Sequence, residues 1–233
     1  MKYAVLDWDN TIRKKFTLFS WMDFLYENEV INKNLVSQDI EFTQSQYALK
    51  EISHDDYARI ACEIYAKAMS GIRKKDYDTL LHRYIEKDRK DIFVFSKSIF
   101  DYLYKSKIAP IIISGAPTNI LNQYIDEFNI YKIYAFSEAF KKGICTGAVK
   151  YNYGVNKRKT LERLIRSYGY KPCIAFGDSS SDIPLFDLSS HAFCIIDDKA
   201  SIGKYGSKPI YVSNEITGEG IISLIQEELR KGL

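Results

Sequence analysis

The sequence lacks the signatures of several common protein classes. Its four cysteines form no CxxC pair, and with three histidines beside them they do not indicate a zinc site. No apolar run reaches the ~18–20 residues that a membrane span needs. The N-terminus runs at once into a charged motif, so we expect no signal peptide. No GxGxxG follows the first apolar run and no P-loop is present, which argues against a dinucleotide-binding protein or a P-loop enzyme.

The chain also has little net charge. Its 233 residues sum to +3, and the basic residues are dispersed along the chain. Because nucleic-acid binding needs a concentrated basic surface, we expect neither nucleic acid nor a membrane as a partner. Cys173 and Cys194 adjoin apolar runs, which predicts buried thiols. Unpaired cysteines fit a reducing, cytoplasmic compartment. The sequence does not indicate the oligomeric state.

Short apolar runs recur along the chain and predict strands. They cover residues 3–6, 108–113, 130–136, 173–176, 192–196 and 209–212. Apolar residues at helical spacing separate the later runs, as at residues 120–128 and at residues 161–168, where Gly169 follows as a stop signal. Strands that alternate with helices of this length predict βαβ units. We therefore expect an α/β fold with a Rossmann-like parallel sheet.

Residues 16–92 break this alternation, with helical patterns and no convincing strand. Apolar stripes at helical spacing cover residues 18–25, 57–69 and 77–85. Ser53 is followed three residues later by Asp56, which predicts a capping box at the start of the second helix. We therefore expect a core made of residues 1–15 and 93–233, with residues 16–92 as a small helical cap inserted after the first strand. Such an insert would stand over the carboxyl ends of the strands, where open α/β sheets bind ligands.

Two carboxylates follow the first predicted strand in the order Asp7-Trp8-Asp9-Asn10-Thr11. Alternate residues of an extended chain point to opposite sides, so the two acids can take different roles. One can act as a nucleophile while the other acts as acid and base. A turn rich in Asp and Asn is the alternative interpretation of this motif.

The next two motifs also stand at strand ends. Ser114-Gly115 follows the apolar run Ile111–Ile113, and its hydroxyl and backbone N–H groups could bind a phosphoryl oxygen. Alternatively, Ser114 caps the following helix. Asp178 and Asp182 lie four residues apart after another strand, a spacing that suits a divalent cation with oxygen ligands. Asp182 is alternatively the N-cap of the next helix.

A lysine completes the set of candidate residues. Lys157 stands at the start of the helix that precedes the acidic strand end. A fixed ammonium group there could neutralise charge between a nucleophile and a phosphate. Lys159 is the competing candidate.

Together these motifs resemble the haloacid dehalogenase (HAD) superfamily of phosphohydrolases. DxDxT, a strand ending in Ser-Gly, a lysine and GDSxxD occur in the family's order between Asp7 and Asp182. The helical insert after the first motif resembles the cap of the phosphoserine-phosphatase-like branch. Residues 142–147 are similar to that branch's short antiparallel hairpin.

The resemblance implies a Mg²⁺-dependent phosphatase that acts on a small phosphorylated metabolite. Asp7 would attack phosphorus and form an aspartyl-phosphate, and Asp9 would protonate the leaving oxygen and then activate water. The implied metal site uses Asp7, the backbone carbonyl of Asp9, Asp178 and Asp182, the last orienting the metal's waters or Lys157. The implied phosphate-binding residues are Thr11, Ser114, Gly115 and Lys157.

The resemblance does not extend to the substrate contacts of the serine-specific members. In those members a glutamate after the first motif and an arginine in the cap hold the amino acid. Here Phe16 and Ala61 take these positions, and Arg59 lies two residues away on another helix face. This argues against phosphoserine and makes Phe16 and Arg59 the candidate substrate contacts. A phosphotransferase on the same site and a non-catalytic HAD-like binding module are the alternative functions.

Overall fold

The computed structural model describes residues 2–231, apart from the side chains of residues 33–35. In this part of the chain seven strands form one sheet. The strands are β1 (Tyr3–Leu6), β2 (Ala109–Pro117), β3 (Lys132–Lys141), β4 (Ile144–Asn152), β5 (Ile174–Gly177), β6 (His191–Ile196) and β7 (Ile210–Ser213). The helices are α1 (Thr17–Glu27), α2 (Lys33–Ala48), α3 (His54–Ala68), α4 (Lys74–Asp88), α5 (Ser96–Lys105), α6 (Thr118–Leu121), α7 (Ile125–Phe128), α8 (Lys157–Tyr168), α9 (Ile183–Leu188) and α10 (Gly218–Lys231).

The sheet has the order β4-β3-β2-β1-β5-β6-β7. Neighbouring strands are parallel except for the antiparallel pair β3–β4. The central strand β1 is buried on both faces, because Ala4 and Leu6 pack into one apolar cluster while Tyr3 and Val5 pack into the other. The predicted α/β fold is confirmed.

Four helices, α1 to α4, lie between β1 and the segment at Phe93, and we call them the cap helices. Trp21 of α1 is fully buried among them, and its indole N–H donates to the hydroxyl of Tyr65 at 2.9 Å. The sequence patterns predict three helices here, and α2 is the one they miss. Most side chains described for α2 are exposed, so it carries only a weak apolar stripe, with Val36 and Thr43 as its buried members.

Two chain segments connect the cap helices to the core and run side by side. The N–H of Phe93 donates to the carbonyl of Ile12 at 3.0 Å. Beside this bond, the buried guanidinium of Arg13 lies 2.7 Å from Asp88 at the end of α4. The hydroxyl of Tyr124 donates to the other oxygen of Asp88 at 2.7 Å. The buried ion pair of Arg13 and Asp88 therefore joins the segment after β1 to the end of α4.

Several predicted details differ from the structure. The helix predicted over residues 120–128 is divided into α6, a 3₁₀ turn at Asn122–Tyr124, and α7. The strand predicted over residues 130–136 starts later and runs on to Lys141, because the β3–β4 hairpin turns at Lys142-Gly143 with positive φ at both residues. Cys194 is buried as predicted, whereas Cys173 is only partly buried.

Ser53 is the N-cap residue of α3, as predicted. Ser53 accepts a hydrogen bond from the N–H of Asp56 at 3.1 Å, which is the N-cap interaction. Its own hydroxyl also donates to the Asp56 carboxylate at 2.7 Å. Among the described residues, no helix combines the length and the apolar content needed to cross a bilayer.

Candidate active site

Three aspartates from two neighbouring strand ends meet at the carboxyl edge of the sheet. Asp7 follows β1, Asp178 follows β5, and Asp182 ends the 3₁₀ turn after Asp178. The N–H of Asp7 donates to the carbonyl of Phe176 at 3.0 Å, which continues the parallel pairing of the two strands up to the site. One carboxylate oxygen of each aspartate lies within 4.8 Å of the other two. The register of β1 against β5 therefore builds the acidic cluster.

Lys157 provides the positive charge of the cluster. Its ammonium nitrogen lies 2.9 Å from Asp7 Oδ2 and 2.6 Å from Asp182 Oδ1, and its side chain is 5% exposed. It is the first residue of α8, whose N-cap Asn156 accepts a hydrogen bond from the N–H of Lys159. Lys159 itself is exposed. The structure thus places Lys157 in the site and Lys159 outside it.

Burial and mutual repulsion shape the charge of these groups. Burial lowers the pKa of Lys157, but the carboxylates of Asp182 and Asp7 outweigh it and raise that pKa above its usual value. Burial raises the pKa of Asp7 to about 7, opposed by Lys157 and increased by Asp182. Burial and the charges of Asp182 and Asp7 raise the pKa of Asp178 well above its usual range. One lysine therefore does not neutralise the three carboxylates.

One oxygen of the cluster has no partner among the described residues. Asp7 Oδ1 is buried without a hydrogen bond, while Asp7 Oδ2 contacts Lys157. An unpartnered buried carboxylate oxygen is costly unless a cation or a donor meets it. Asp7, Asp178 and Asp182 each offer one carboxylate oxygen to an all-oxygen donor set of the kind that hard divalent cations prefer. The residues present fit a hard divalent cation.

Asp9 is held by the cap and not by the cluster. Its Oδ1 accepts hydrogen bonds from the backbone N–H of Thr17, at 2.9 Å, and from the Thr17 hydroxyl. Desolvation raises the pKa of Asp9 to about 6, although the Thr17 hydrogen bond and the charge of Arg13 oppose the rise. A carboxyl group with this pKa can both give and take a proton near neutral pH.

Thr11 and Ser114 were candidate phosphate-binding residues. The hydroxyl of Thr11 donates to Asp178 Oδ1 at 3.3 Å, so it is directed at the acidic cluster. Ser114 is buried inside β2, and its Oγ accepts from the N–H of Ala116 at 3.2 Å. The N-cap of α6 is Pro117, so the alternative interpretation of Ser114 as a helix cap is wrong.

Two glycines are required by close backbone approach at the site. A Cβ on Gly154 would lie 2.3 Å from the backbone of Ser114 and Gly115. A Cβ on Gly177 would lie 2.4 Å from the Cβ of Asp182. Side chains at Gly154 and Gly177 would therefore displace the Ser114-Gly115 segment and Asp182.

Asp182 uses both of its oxygens inside the site. Oδ1 contacts Lys157, and Oδ2 accepts from the N–H groups of Asp178 and Ser179 at 3.1 and 3.2 Å. Asp182 occupies the N-cap position of α9 but makes no side-chain cap bond there. It therefore orients Lys157 and the Asp178 loop, and it does not cap the helix with its carboxylate.

The two candidate substrate contacts have different surroundings. Phe16 directly precedes Thr17, which holds Asp9, and its side chain is exposed. Arg59 is exposed on α3 and pairs with Asp56 and Glu63 at 3.4 and 2.9 Å. Arg59 is thus engaged in i,i+3 and i,i+4 pairs on the helix surface, and its described ion pairs include none of Asp7, Asp178 and Asp182.

The structure adds two residues that the sequence motifs do not single out. Thr17 reaches Asp9 because α1 starts beside the first motif. His54 starts α3, and the pKa of its imidazole is lowered by burial and then by the positive charge of Lys157. A threonine soon after a DxD motif is the only local signal for Thr17. His54 is 103 residues from Lys157 by sequence number, and no local signal connects them.

Comparisons with known proteins agree with this architecture. One similar solved structure is a phosphoserine phosphohydrolase-like protein from Francisella tularensis, with 18% identity, a TM-score of 0.67 and coverage of 97% of this chain and 100% of that one. A phospho-aspartyl intermediate analogue of phosphoserine phosphatase has 14% identity, a TM-score of 0.65 and coverage of 97% and 98%. Cytosolic 5′-nucleotidase IIIB bound to cytidine has 15% identity, a TM-score of 0.63 and coverage of 98% and 87%. At these identities the similarity shows the fold.

Comparison with curated protein sequences gives no significant match. The family model for haloacid dehalogenase-like hydrolases matches residues 4–187, which include β1, the cap helices and the Asp178–Asp182 loop. This match covers most of the chain and all of the strand ends that form the site. The chain therefore belongs to the haloacid dehalogenase-like hydrolases.

Proposed function

We propose that this protein is a magnesium-dependent phosphatase that hydrolyses a small phosphomonoester through an aspartyl-phosphate at Asp7. The observation that carries the proposal is the environment of Asp7. One of its oxygens contacts Lys157 at 2.9 Å, and the other is buried without a hydrogen bond. The Asp7 carboxylate also clusters with those of Asp178 and Asp182. A carboxylate that is buried and flanked by sites for positive charge suits nucleophilic attack on phosphorus.

The metal would be held by Asp7, Asp178 and the backbone carbonyl of Asp9, with Asp182 orienting its waters. When bound, Mg²⁺ would neutralise charge on the phosphoryl oxygens and favour the ionised form of Asp7. Thr11 would support this arrangement through its hydrogen bond to Asp178. Ser114 and Gly115 would lie against the phosphoryl group, kept in position by the close contact with Gly154.

The first half of the reaction divides between the two aspartates of the first motif. An oxygen of Asp7 forms a bond to phosphorus while the bond from phosphorus to the leaving oxygen breaks. Asp9 donates a proton to that leaving oxygen, and a pKa raised to about 6 keeps a larger fraction of Asp9 protonated near neutral pH than an ordinary aspartate has. Lys157 stays charged because Asp182 and Asp7 raise its pKa, so it can stabilise the transferring phosphoryl group.

The second half returns the enzyme to its starting state. Asp9 takes a proton from water, and the water oxygen attacks phosphorus. The bond from phosphorus to Asp7 breaks, and inorganic phosphate leaves. Asp9 ends this cycle protonated, ready for the next substrate. Transfer to an alcohol in place of water would give the phosphotransferase alternative with the same residues.

The first experiment measures phosphate release from a panel of small phosphomonoesters, including phosphoserine and an aryl phosphate. Each is assayed with Mg²⁺, with EDTA, and with the Asp7→Asn variant. We expect release that requires Mg²⁺ and falls by at least about 10³-fold in Asp7→Asn, because the nucleophile is lost. The matched control is Asp126→Asn, at an exposed aspartate of α7, which should match the parent.

Two outcomes would contradict the proposal. Full activity of Asp7→Asn would remove the nucleophile assignment. Substrate consumption without an equal amount of free phosphate in the presence of glycerol would favour the phosphotransferase. We further propose that the substrate is a small phosphorylated metabolite in a reducing, cytoplasmic compartment, which the four free thiols support.

A further inference from the structure

A row of aromatic side chains crosses the cap from α1 to α3 and α2. The row consists of Phe16, Phe19, Tyr57, Tyr47 and His54. Successive ring centroids are 6.1, 6.4, 5.2 and 5.8 Å apart, and the rings of Tyr57 and Tyr47 are stacked at an interplanar angle of 14°. Each distance is within the range of ordinary aromatic contacts. We call this set the aromatic row.

One end of the aromatic row lies next to the residue that holds Asp9. Phe16 is bonded to Thr17, which donates two hydrogen bonds to Asp9. At the other end, Tyr47 lies 5.8 Å from the imidazole of His54, the first residue of α3. The row therefore starts beside the acid/base residue and runs from there across the cap helices.

The direction of the reaction places the leaving group on the same side. Asp9 must reach the leaving oxygen to protonate it, and Phe16 is the residue next to the threonine that holds Asp9. A group that departs toward Asp9 thus departs toward Phe16 and the rings that follow it. The row is placed to contact the part of the substrate that is not phosphate.

None of the rings of the row is fully buried, and Phe19 packs against the core from a partly buried position. The core cluster around Trp21 is fully buried, as core packing requires. In contrast, Phe16 is 52% exposed and Tyr47 is 38% exposed. Exposed aromatic faces beside a site are available to a ligand. Phe16, Phe19, Tyr57 and Tyr47 carry no charge, so they offer no counter-charge to a charged amino-acid leaving group.

We infer that the aromatic row binds a flat aromatic or heteroaromatic ring in the leaving group of the substrate. The suitable substrates are phosphomonoesters of a primary alcohol that carries such a ring, either a nucleoside 5′-monophosphate or an arylmethyl phosphate. The inference rests on the proposed phosphatase function and names its substrate class. His54 adds a hydrogen-bonding group at the far end of the row, which a heteroaromatic ring could use and a plain arene could not.

The test compares substrates that differ only in the ring. Benzyl phosphate is paired with cyclohexylmethyl phosphate, and uridine 5′-monophosphate is paired with ribose 5-phosphate. All four release a primary alcohol, so differences in leaving-group reactivity are small. We expect kcat/KM to be about 5- to 100-fold higher for the member with the aromatic ring, mainly through a lower KM, because stacking acts away from the reacting atoms. A preference in the nucleotide pair alone would identify the heteroaromatic source.

Variants then assign the preference to the row. Phe16→Leu and Tyr47→Leu keep apolar volume but remove the ring, and both side chains are exposed enough for the fold to tolerate the change. We expect each to bring the ratio of kcat/KM within a pair toward one. Phe42→Leu is the matched control, since Phe42 is a 64% exposed phenylalanine of α2 outside the row, and it should keep the parent ratio.

Failure of the inference can be told apart from failure of the proposed function. Equal kcat/KM within both pairs, with release that still requires Mg²⁺ and Asp7, would overturn the aromatic row and leave the phosphatase intact. If no compound releases phosphate, the dissociation constants of the same pairs for Asp7→Asn, measured by calorimetry, decide the inference. Equal dissociation constants would overturn it, and tighter binding of the aromatic members would support it.

Discussion

Thr17 donates both its backbone N–H and its hydroxyl to the same carboxylate oxygen of Asp9. The first turn of the first cap helix therefore holds the proposed acid/base residue of the core. Because Thr17 belongs to the cap and Asp9 to the core, any movement of α1 would alter these hydrogen bonds. The position of α1 and the orientation of Asp9 are thus linked by two bonds.

Replacing Thr17 by valine tests this link. Thr17→Val keeps the backbone bond and the shape but loses the hydroxyl bond to Asp9, and a hydrogen bond to a charged group is worth ~1.5–3 kcal/mol. We expect kcat to fall about 10- to 100-fold with little change in KM. The control is Thr79→Val, whose hydroxyl bonds only to the carbonyl of Lys75 on the surface of α4. A kcat within twofold of the parent would show that the backbone bond alone is sufficient.

Asp9→Asn separates the two halves of the reaction. With 4-nitrophenyl phosphate the leaving group needs no proton, so Asp7 can still be phosphorylated while its hydrolysis lacks a base. We expect a burst of nitrophenol equal to the enzyme concentration, followed by turnover at least about 10²-fold slower than the parent. Mass spectrometry of the intact protein should then show one added phosphoryl group. A steady rate without a burst and without added mass would contradict the role of Asp9.

Metal removal should affect stability as well as activity. Asp7, Asp178 and Asp182 crowd negative charge in a buried site, and the pKa of Asp178 is raised by burial and by its two neighbours. We expect Mg²⁺ to raise the melting temperature of the parent, because it binds the folded state. Without metal, Asp178→Asn should melt about 2–4 °C above the parent, which corresponds to ~1 kcal/mol for a chain of this size.

The same Asp178→Asn variant should gain little from Mg²⁺, which calorimetry or fluorescence-monitored melting can measure. Asp126→Asn again serves as the control and should retain the parent's response. If Mg²⁺ stabilises Asp178→Asn as strongly as the parent, Asp178 is not a metal ligand.

The buried pair between Arg13 and Asp88 should be a main determinant of stability. Arg13 is fully buried, and its guanidinium contacts Asp88 at 2.7 Å and the hydroxyl of Tyr84 at 3.3 Å. Removing Asp88 leaves the buried Arg13 with Asp91, at 3.4 Å, as its remaining acidic partner among the described residues. Loss of one partner of a buried pair costs ~3–5 kcal/mol. We expect Asp88→Ala to lose this amount in urea unfolding, and the double variant Arg13→Met/Asp88→Ala to recover part of it.

An exposed pair provides the comparison. Lys97 and Asp101 form an i,i+4 pair at 3.1 Å on the surface of α5. Lys97→Ala should change the free energy of unfolding by less than about 0.5 kcal/mol. A loss in Asp88→Ala no larger than this would mean that the pair does not hold the two cap connections together.

Glu138 should make stability depend on pH. It is buried in β3, and burial raises its pKa above the usual 4.5, partly offset by Tyr77 and Asn119. The folded state therefore binds its proton more tightly than the unfolded state, so this contribution to stability is present at low pH and is lost as pH rises above the unfolded pKa. Glu138→Gln cannot ionise and should melt above the parent at about pH 8, by more than it does at about pH 5.

The exposed Glu215 offers the matched control for this experiment. Glu215→Gln should follow the parent at both pH values. An unchanged difference between Glu138→Gln and the parent across the pH range would show that Glu138 keeps the same charge in both states.

Local patterns were sufficient for much of the fold and for the acidic residues of the site. Strands buried on both faces have continuous apolar sequences. β1 and β5 correspond to two such runs, which end just before Asp7 and Asp178. Parallel strands bring their carboxyl ends to one edge, so the approach of Asp7 to Asp178 also follows from the alternation of strands and helices. The all-helical character of residues 17–88 follows from apolar spacing, with α2 as the exception because its described side chains are mostly exposed.

Other features depend on contacts between distant parts of the chain, and only the tertiary structure decides them. Lys157 and Lys159 are equivalent in local sequence, but the start of α8 directs Lys157 to Asp7 and leaves Lys159 exposed. The bond from Thr17 to Asp9 and the approach of His54 to Lys157 arise from how the cap is seated on the core. Such contacts depend on packing geometry, which residue spacing within one element does not contain.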